Sequence, residues 1–307
     1  TMESAYVVHK TLLNEHTDSV NALSFSPCGR YLASGSSDRS ICIWKVSSGR
    51  FIFHVVFDSQ INALLWHSVE KDTLICGCED GAVFYLSDFS PVSFAGREVR
   101  LGMKDTPVFC LDLEPNMRLL AIGVGNEVHI TKDGCLHKIP PAIIGYTATT
   151  KLLHPQYKPQ IEGRDCRIRP RSIHFYERGK RLIVSYLNHG VIAWDIDSMT
   201  ALWHIRSRDT PKQIASSAVY LDLNAIVINT LQDGVYLFKL GSTKPVRKWV
   251  YDCEAKARYP LLVSFLHDGK AIISGSPTGS VCIWQTGSDD LYQVLPHSGE
   301  QIHQLFY

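Results

Sequence analysis

Nowhere in the 307 residues do eighteen apolar residues run together, and the opening TMESAYVVHK contains no apolar core of the signal-peptide kind. The chain is therefore expected neither to insert in a membrane nor to be secreted by that route. Thr1 ahead of Met2 reads as a remnant of an expression tag, with Met2 as the natural start. An excess of either charge is also missing. Lys and Arg number 31 against 30 Asp and Glu, a net charge of +1, which gives no bulk attraction to nucleic acid. Cysteine pairs at metal-binding spacing are lacking too. The nine cysteines stand at 28, 42, 76, 78, 110, 135, 166, 253 and 282, an odd number, several inside apolar runs. They read as reduced core residues of a cytoplasmic or nuclear protein, with no metal site, since Cys76 and Cys78 have no second pair to complete four ligands.

Catalytic motifs are equally scarce. There is no G-x-S-x-G elbow, no phosphate loop and no His-Glu-x-x-His pattern. The stretch GVGN at 123–126 sits between two strand-like runs instead of opening a helix, so a tight turn accounts for it better than a dinucleotide loop. No catalytic residue, metal or cofactor is expected.

What the chain does have is repetition. In VNALSFSPCGRYLASGSSDRSICIW, residues 20–44, three β-rich runs are separated by Pro27-Cys28-Gly29 and Ser36-Ser37-Asp38. The apolar residue that closes the first run recurs at 25, 66, 113, 175, 219, 265 and 307, with gaps of 41, 47, 62, 44, 46 and 42. Five gaps fit one four-stranded blade with its loops, and the sixth fits the same unit carrying an insertion. Trp44, Trp194, Phe238 and Trp284 each follow their landmark (Phe25, Phe175, Val219, Phe265) by 19 residues. The second repeat has Leu86 in that place, and the third is shortened near Gly125.

HTDSVNALSFSPCGRYLASGSSDRSICIWKV resembles a full WD40 repeat, and SFLHDGKAIISGSPTGSVCIWQT a second. The resemblance implies an all-β fold, a seven-bladed WD40-type β-propeller, and a function in binding other macromolecules. It also implies a hydrogen-bonded structural tetrad, which falls here on His16, Ser34, Asp38 and Trp44. Repeat 6 keeps Ser274 and Trp284 with Thr278 at the Asp position, and repeat 4 keeps Trp194 with Asn188 in the turn.

The blades are expected at 16–57, 58–99, 104–140, 170–206, 210–251 and 256–295, with an insertion at 140–169. Residues 5–13, AYVVHKTLL, would be the outer strand of a seventh blade that 297–307 begins, so the last blade is incomplete here. Six blades would leave 5–13 without a place, because LYQVL at 291–295 already supplies the outer strand of blade 6. The natural chain is accordingly expected to continue past Tyr307.

The insertion follows an outer strand expected near Cys135–Ile139, and family topology places it on the face where outer strands connect to inner ones. Lys151, Lys158, Arg164, Arg167, Arg169 and Arg171 stand there against Glu162 and Asp165; the next loop on that face adds Arg206, Arg208 and Lys212 against Asp209. The loop after it, with Asp252, Glu254, Lys256 and Arg258, is neutral. Alternate arginines from 167 to 171 would set guanidinium groups on one side of an extended segment, suited to carboxylate or phosphate. Tyr146, His154 and Tyr157 could add flat contact surface.

Several readings follow. A long loop can be charged merely to stay solvated. It can bind other proteins or peptides, acidic or phosphorylated, through Arg164, Arg167, Arg169, Arg171, Arg206, Arg208, Lys212 and Tyr157. Nucleic acid is a less favoured partner on so neutral a chain. A propeller enzyme would need convergent carboxylates near the channel, for which the inner strands offer mainly Asp112 and Glu114. Finally, the chain could be one module of a longer protein.

Overall fold

The computed structural model describes residues 6–13, 15–89, 93–101, 105–132, 149–156, 167–206, 213–231, 234–251 and 260–296. These residues form six four-stranded antiparallel meanders. Blade 1 holds β1 (Val20–Phe25), β2 (Tyr31–Ser36), β3 (Ser40–Lys45) and β4 (Arg50–Val56); blade 2 holds β5 (Ile61–Trp66), β6 (Leu74–Cys78), β7 (Ala82–Ser87) and β8 (Ala95–Arg100). Blade 3 is β9 (Val108–Glu114), β10 (Leu119–Val124), β11 (Glu127–Lys132) and β12 (Thr149–Lys151), and blade 4 is β13 (Pro170–Tyr176), β14 (Arg181–Tyr186), β15 (Gly190–Asp195) and β16 (Thr200–Ile205). Blade 5 comprises β17 (Ile214–Tyr220), β18 (Ala225–Thr230), β19 (Gly234–Lys239) and β20 (Pro245–Trp249), and blade 6 comprises β21 (Val263–Leu266), β22 (Ala271–Gly275), β23 (Val281–Gln285) and β24 (Leu291–Leu295).

The first strands β1, β5, β9, β13, β17 and β21 pack on one another in that order, so they are the innermost. The landmark row crosses each sheet. Phe25 pairs with Leu32 and Leu32 with Trp44, and the same row runs Phe175–Leu182–Trp194, Val219–Ile226–Phe238 and Phe265–Ile272–Trp284. At each of those four aromatics the pairing with the outer strand shifts by one residue, a β-bulge that bends the sheet edge. The 19-residue spacing is thus one row of a sheet ending at its bulge.

Burial between blades is what holds the fold. Ala22, Ile41 and Ile43 of blade 1 share one core with Ile61, Trp66 and Leu74 of blade 2, and four further cores join blades 2 to 3, 3 to 4, 4 to 5 and 5 to 6 in turn. Close approach depends on glycine in the second strand. A Cβ on Gly35 would come within 2.5 Å of Ile61, one on Gly77 within 2.3 Å of Val108, and one on Gly123 within 2.7 Å of Cys110 and 3.0 Å of Pro170.

The expectation of seven blades is corrected to six among the described residues. Residues 6–13, expected as an outer strand, form no strand. They cross from blade 6 to blade 1 instead. The Tyr6 N–H donates to Gln293 Oε1 (2.7 Å), Gln293 Nε2 donates back to the Tyr6 carbonyl (2.8 Å), and the Tyr6 hydroxyl bonds to His267 Nε2 while its ring stacks on that imidazole. Further on, Lys10 Nζ donates to the Ser47 carbonyl (2.5 Å). A side-chain amide thus satisfies the Tyr6 backbone that a strand ladder would otherwise pair. Tyr6 also covers the apolar face of blade 6 formed by Leu266, Ile273 and Ile283. No packing comparable to that of the other inner pairs joins β21 to β1 among the described residues. The segment 297–307, expected to begin a seventh blade, lies outside them.

The boundaries around the insertion are corrected as well. The outer strand of blade 3 is β12 at Thr149–Lys151, pairing Ile130 with Thr150; the strand expected near Cys135–Ile139 lies outside the described residues. The expected insertion therefore divides. Residues up to 148 belong to the link between the third and fourth strands, which leaves β11 at the end opposite the loop face. Only 152–169 connect the outer strand to the next inner strand.

The four tetrad residues meet in blade 1. Trp44 Nε1 donates to Ser34 Oγ (2.9 Å), Ser34 lies 2.8 Å from His16 Nε2, and His16 Nδ1 is 2.9 Å from Asp38 Oδ2. Burial pulls the Asp38 pKa up, but bonds from Ser40, the Thr17 N–H and His16 outweigh it and hold the carboxyl at about 2. Blade 4 has Val184 at the position of Ser34, and Trp194 packs in an apolar cluster instead. In blade 6, Ser274 Oγ accepts from Asn229 Nδ2 (2.9 Å) and meets the Tyr251 hydroxyl (2.9 Å), so blade 5 takes over its bonding.

Two outcomes are expected. Gly77→Ala drives a methyl into Val108 and should lower unfolding free energy by about 2–4 kcal/mol in chemical denaturation. Because the Asp38 pKa is depressed in the fold, its contribution is present above pH 4 and is lost as pH falls toward 2. Asp38→Ala should cost about 2 kcal/mol at pH 7, and that difference from the parent should shrink steeply as pH falls to 2 and below in acid titrations followed by circular dichroism.

Candidate functional site

In five blades the innermost strand carries a β-bulge at the same place, one residue after its start: between Val20 and Ala22, Ile61 and Ala63, Val108 and Cys110, Pro170 and Ser172, and Ile214 and Ser216. The extra residues are Asn21, Asn62, Phe109, Arg171 and Ala215. All sit where the chain arrives from an outer strand, the loop face. Bulges re-aim a side chain out of the regular alternation and gather at functional rims. Asn21 Nδ2 donates to the Ile61 carbonyl (3.1 Å), just before Asn62.

Arg171 reaches across three successive inner strands. Its guanidinium carbon lies 5.7 Å from the Phe109 ring centroid on β9, and its Nε donates to the Ala215 carbonyl on β17 (3.3 Å). The surrounding backbone is fixed: Leu187 N–H donates to the Arg169 carbonyl and Ile214 N–H to the Leu187 carbonyl, both at 2.9 Å. Gln213 Nε2 also bonds to Asn188 Oδ1 (3.0 Å), tying the blade 4 turn to blade 5. Burial lowers the Arg171 pKa; the neighbouring Cys110 opposes this and Arg169 adds to it. Cys110 is no counter-ion, because burial pushes its thiol up to about 12. Among the described residues no carboxylate pairs with Arg171.

The other residues expected at the basic site divide between the loop end of blade 4, other elements and positions outside the described residues. Arg171 lies in β13, not in a loop. Lys151 lies in β12, its Nζ 2.9 Å from Glu127 Oε1, and is spent on that ion pair. Arg167 and Arg206 are exposed and Arg169 is half-buried, all at the loop end of blade 4. Tyr146, Tyr157, Lys158, Glu162, Arg164, Asp165, Arg208, Asp209 and Lys212 lie outside the described residues, as do Asp252, Glu254, Lys256 and Arg258. Sequence reasoning missed the bulge ring. Its trace is a polar or aromatic residue after the first residue of four of the inner strands (Asn21, Asn62, Phe109 and Arg171, but Ala215 in the fifth), which spacing alone does not distinguish. Also unforeseen is a histidine group near Arg206: buried His189 has its pKa lowered by burial and by His204 and His154, and His204 Nε2 bonds to the His189 carbonyl (2.7 Å).

The two inner-strand carboxylates are built into the scaffold. Asp112 Oδ2 accepts the Phe175 N–H of the next blade (2.6 Å), and Glu114 accepts from Asn116 Nδ2 (2.8 Å) and the Met117 N–H (2.5 Å). Ser24 accepting from Trp66 N–H (2.9 Å) is the same stitch in another blade. Among the described residues no group of three or more His, Cys, Asp or Glu could hold a metal ion, and no helix is long and apolar enough to cross a membrane.

With the blades and their loop face in place, the comparisons with known proteins agree. The family model described as "WD domain, G-beta repeat" matches residues 7–45. The WD repeat-containing protein 26 homolog of Arabidopsis thaliana is 30% identical over 311 residues, covering 94% of this chain and 45% of that protein. Ribosome biogenesis protein bop1-A of Xenopus laevis is 31% identical over 80 residues, 26% of this chain and 11% of that protein. Ribosome biogenesis protein ERB1 of Debaryomyces hansenii is 29% identical over 115 residues, 36% of this chain and 12% of that protein. The chain thus spans less than half the length of each of these relatives. The fold is an all-β propeller of repeated four-stranded blades, a class built to present a rigid loop face. This chain belongs to the WD40-repeat β-propeller family.

Burial raises the Asp112 pKa to about 6, against the bonds from the Phe175 and Leu113 N–H groups. The fold therefore binds this proton more tightly than the unfolded chain. Its contribution is complete below pH 4 and is lost as pH rises through 6. Asp112→Asn keeps an acceptor for the Phe175 N–H without the charge. It should be more stable than the parent by about 1–2 kcal/mol at pH 8 and equal to it at pH 4, as read from urea midpoints at the two pH values.

Proposed function

We propose that the protein is an interaction scaffold, a binding protein and not an enzyme, that holds acidic segments of protein partners on its loop face across blades 3, 4 and 5. The observation that carries this reading is the concentration of Arg167, Arg169, Arg171 and Arg206 at one end of blade 4 on a chain whose net charge is only +1. A local cation cluster on a neutral body attracts one anionic patch without a general affinity for polyanions. That disfavours nucleic acid, for which a broad basic surface is the usual footprint. Family membership supports binding through a rigid ring. Relatives whose names place them in ribosome biogenesis support a role in assembling complexes, in the nucleus or cytoplasm.

The test is affinity capture from nuclear and cytoplasmic extracts with three forms of the protein. Arg167→Glu/Arg206→Glu should lose the partners that the parent retains, whereas Arg178→Glu, in the turn at the opposite end of blade 4, should keep them. Equal loss in both variants, or in neither, overturns the loop-face reading. Capture of nucleic acid in place of protein, abolished by nuclease, would redirect it.

A further inference from the structure

The bulge ring offers more than a general basic face. Arg171 is the one charged member of the ring, surrounded by Phe109, the neutral thiol of Cys110 and the carbonyl of Ala215. Its Nε is already committed to Ala215, and among the described residues its two terminal nitrogens have no hydrogen-bond partner. A guanidinium held by its Nε and lying over a ring presents those two nitrogens as a fork, the geometry that takes the two oxygens of a carboxylate in parallel bonds. The charge count favours the same ligand. One half-buried cation balances one negative charge; Arg169 is near enough to depress the Arg171 pKa but is not placed on Phe109 or Ala215, so a phosphate monoester would bring close to two charges to a fork that balances one.

We propose that Arg171, seated on Phe109 and fixed by the Ala215 carbonyl, is the anchor for a single carboxylate of a partner polypeptide entering the loop-face mouth of the ring. This rests on the loop-face reading above and narrows it to one residue and one charge type. Asn62, half-buried in the bulge two blades away, already donates its amide to Glu79 Oε2 (2.5 Å) and takes no part in the anchor. Phe109 offers the rest of its face to an apolar neighbour of that carboxylate.

The probe is a set of fluorescein-labelled decapeptides of neutral random background. One pool is amidated and carries a single Glu, a second has a free C-terminal carboxylate and no acidic side chain, a third is amidated with one phosphoserine, and a fourth is amidated and uncharged. Anisotropy should show binding of the first pool, the second or both, and at least tenfold weaker binding of the phosphoserine and uncharged pools. Whichever carboxylate pool binds identifies the source as side chain or chain end. Arg171→Met, which keeps a long apolar stem on Phe109, and Arg171→Lys, which keeps charge without the fork, should each weaken carboxylate binding at least tenfold with the thermal midpoint unchanged or raised.

Unchanged carboxylate binding in Arg171→Met overturns the proposal, as does preference of the parent for phosphoserine. Collapse of the fold in both variants would make Arg171 a scaffold residue and overturns it too. Should Arg167→Glu/Arg206→Glu lose captured partners while Arg171→Met keeps them, the loop-face reading stands and the anchor alone fails. Should all these variants keep their partners, both fail.

Discussion

Every blade has two faces and can cover neither by itself, so the structure depends on contact between the second strand of one blade and the first strand of the next. At that contact the side chain has to vanish. Gly35, Gly77 and Gly123 occupy corresponding places in β2, β6 and β10, and each lets the leading residue of the next inner strand, Ile61, Val108 or Pro170, sit against bare backbone. Blades 4 and 5 solve the same problem with polar residues that bond. Ser185 meets the Ser217 hydroxyl (2.7 Å), and Asn229 bonds to Leu261 and Ser274 of blade 6. Three of the five blade contacts are thus closed by absence of volume and two by hydrogen bonds, the two ways of avoiding both a void and an unsatisfied polar atom.

The same constraint explains why the ends of the chain behave as they do. Blade 6 exposes an apolar face with no seventh sheet among the described residues to cover it. Tyr6 meets that need with one aromatic ring, two bonds to Gln293, and edge contact with Tyr292. Its neighbours Val7 and Val8, 82% and 70% exposed, contribute nothing to that cover. The fastening is local, through one side chain. The apolar, β-branched make-up of AYVVHKTLL has strand character, but a strand also needs a partner edge, and among the described residues 6–13 pair with none. Composition speaks for the shape of a segment and is silent about its neighbour.

Much of the blade architecture was legible because it is written in short-range spacing. The 19 residues from Phe25 to Trp44 span two strands and two turns of nearly constant length, so the row Phe25–Leu32–Trp44 could be found without coordinates. The tetrad positions follow from the same constancy. What was not legible lies where a connection changes length. In blade 3 the third-to-fourth link is long and the outer strand only three residues, Thr149–Lys151, too short to show a pattern. The basic residues were therefore assigned to one insertion when they belong to a strand, a loop and the start of the next blade. Arg171 was selected for its charge, yet its significance comes from a backbone irregularity that charge does not reveal.

That irregularity connects the scaffold to the site. A bulge at the start of an inner strand lets the chain bend from the loop into the sheet, and five of the six blades have one, so the row of bulged residues arises from architecture alone. Having arisen, it sets five residues at one level along the loop face, of which Ala215 is buried and Asn21, Asn62, Phe109 and Arg171 are half-buried. Ser172 is committed to the scaffold: one position past the bulge, its hydroxyl accepts the Ser217 N–H of the next blade (2.9 Å), and it cannot vary without breaking a stitch. Arg171, one position earlier, touches neighbouring blades through a ring face, a carbonyl oxygen and the Cys110 thiol. Other side chains could meet those demands, so the fold does not require a charge there. A guanidinium partly withdrawn from water, with no counter-ion among the described residues, is a cost to the free protein. A partner that supplies the missing negative charge removes that cost, so the position is stabilised by binding and not by folding.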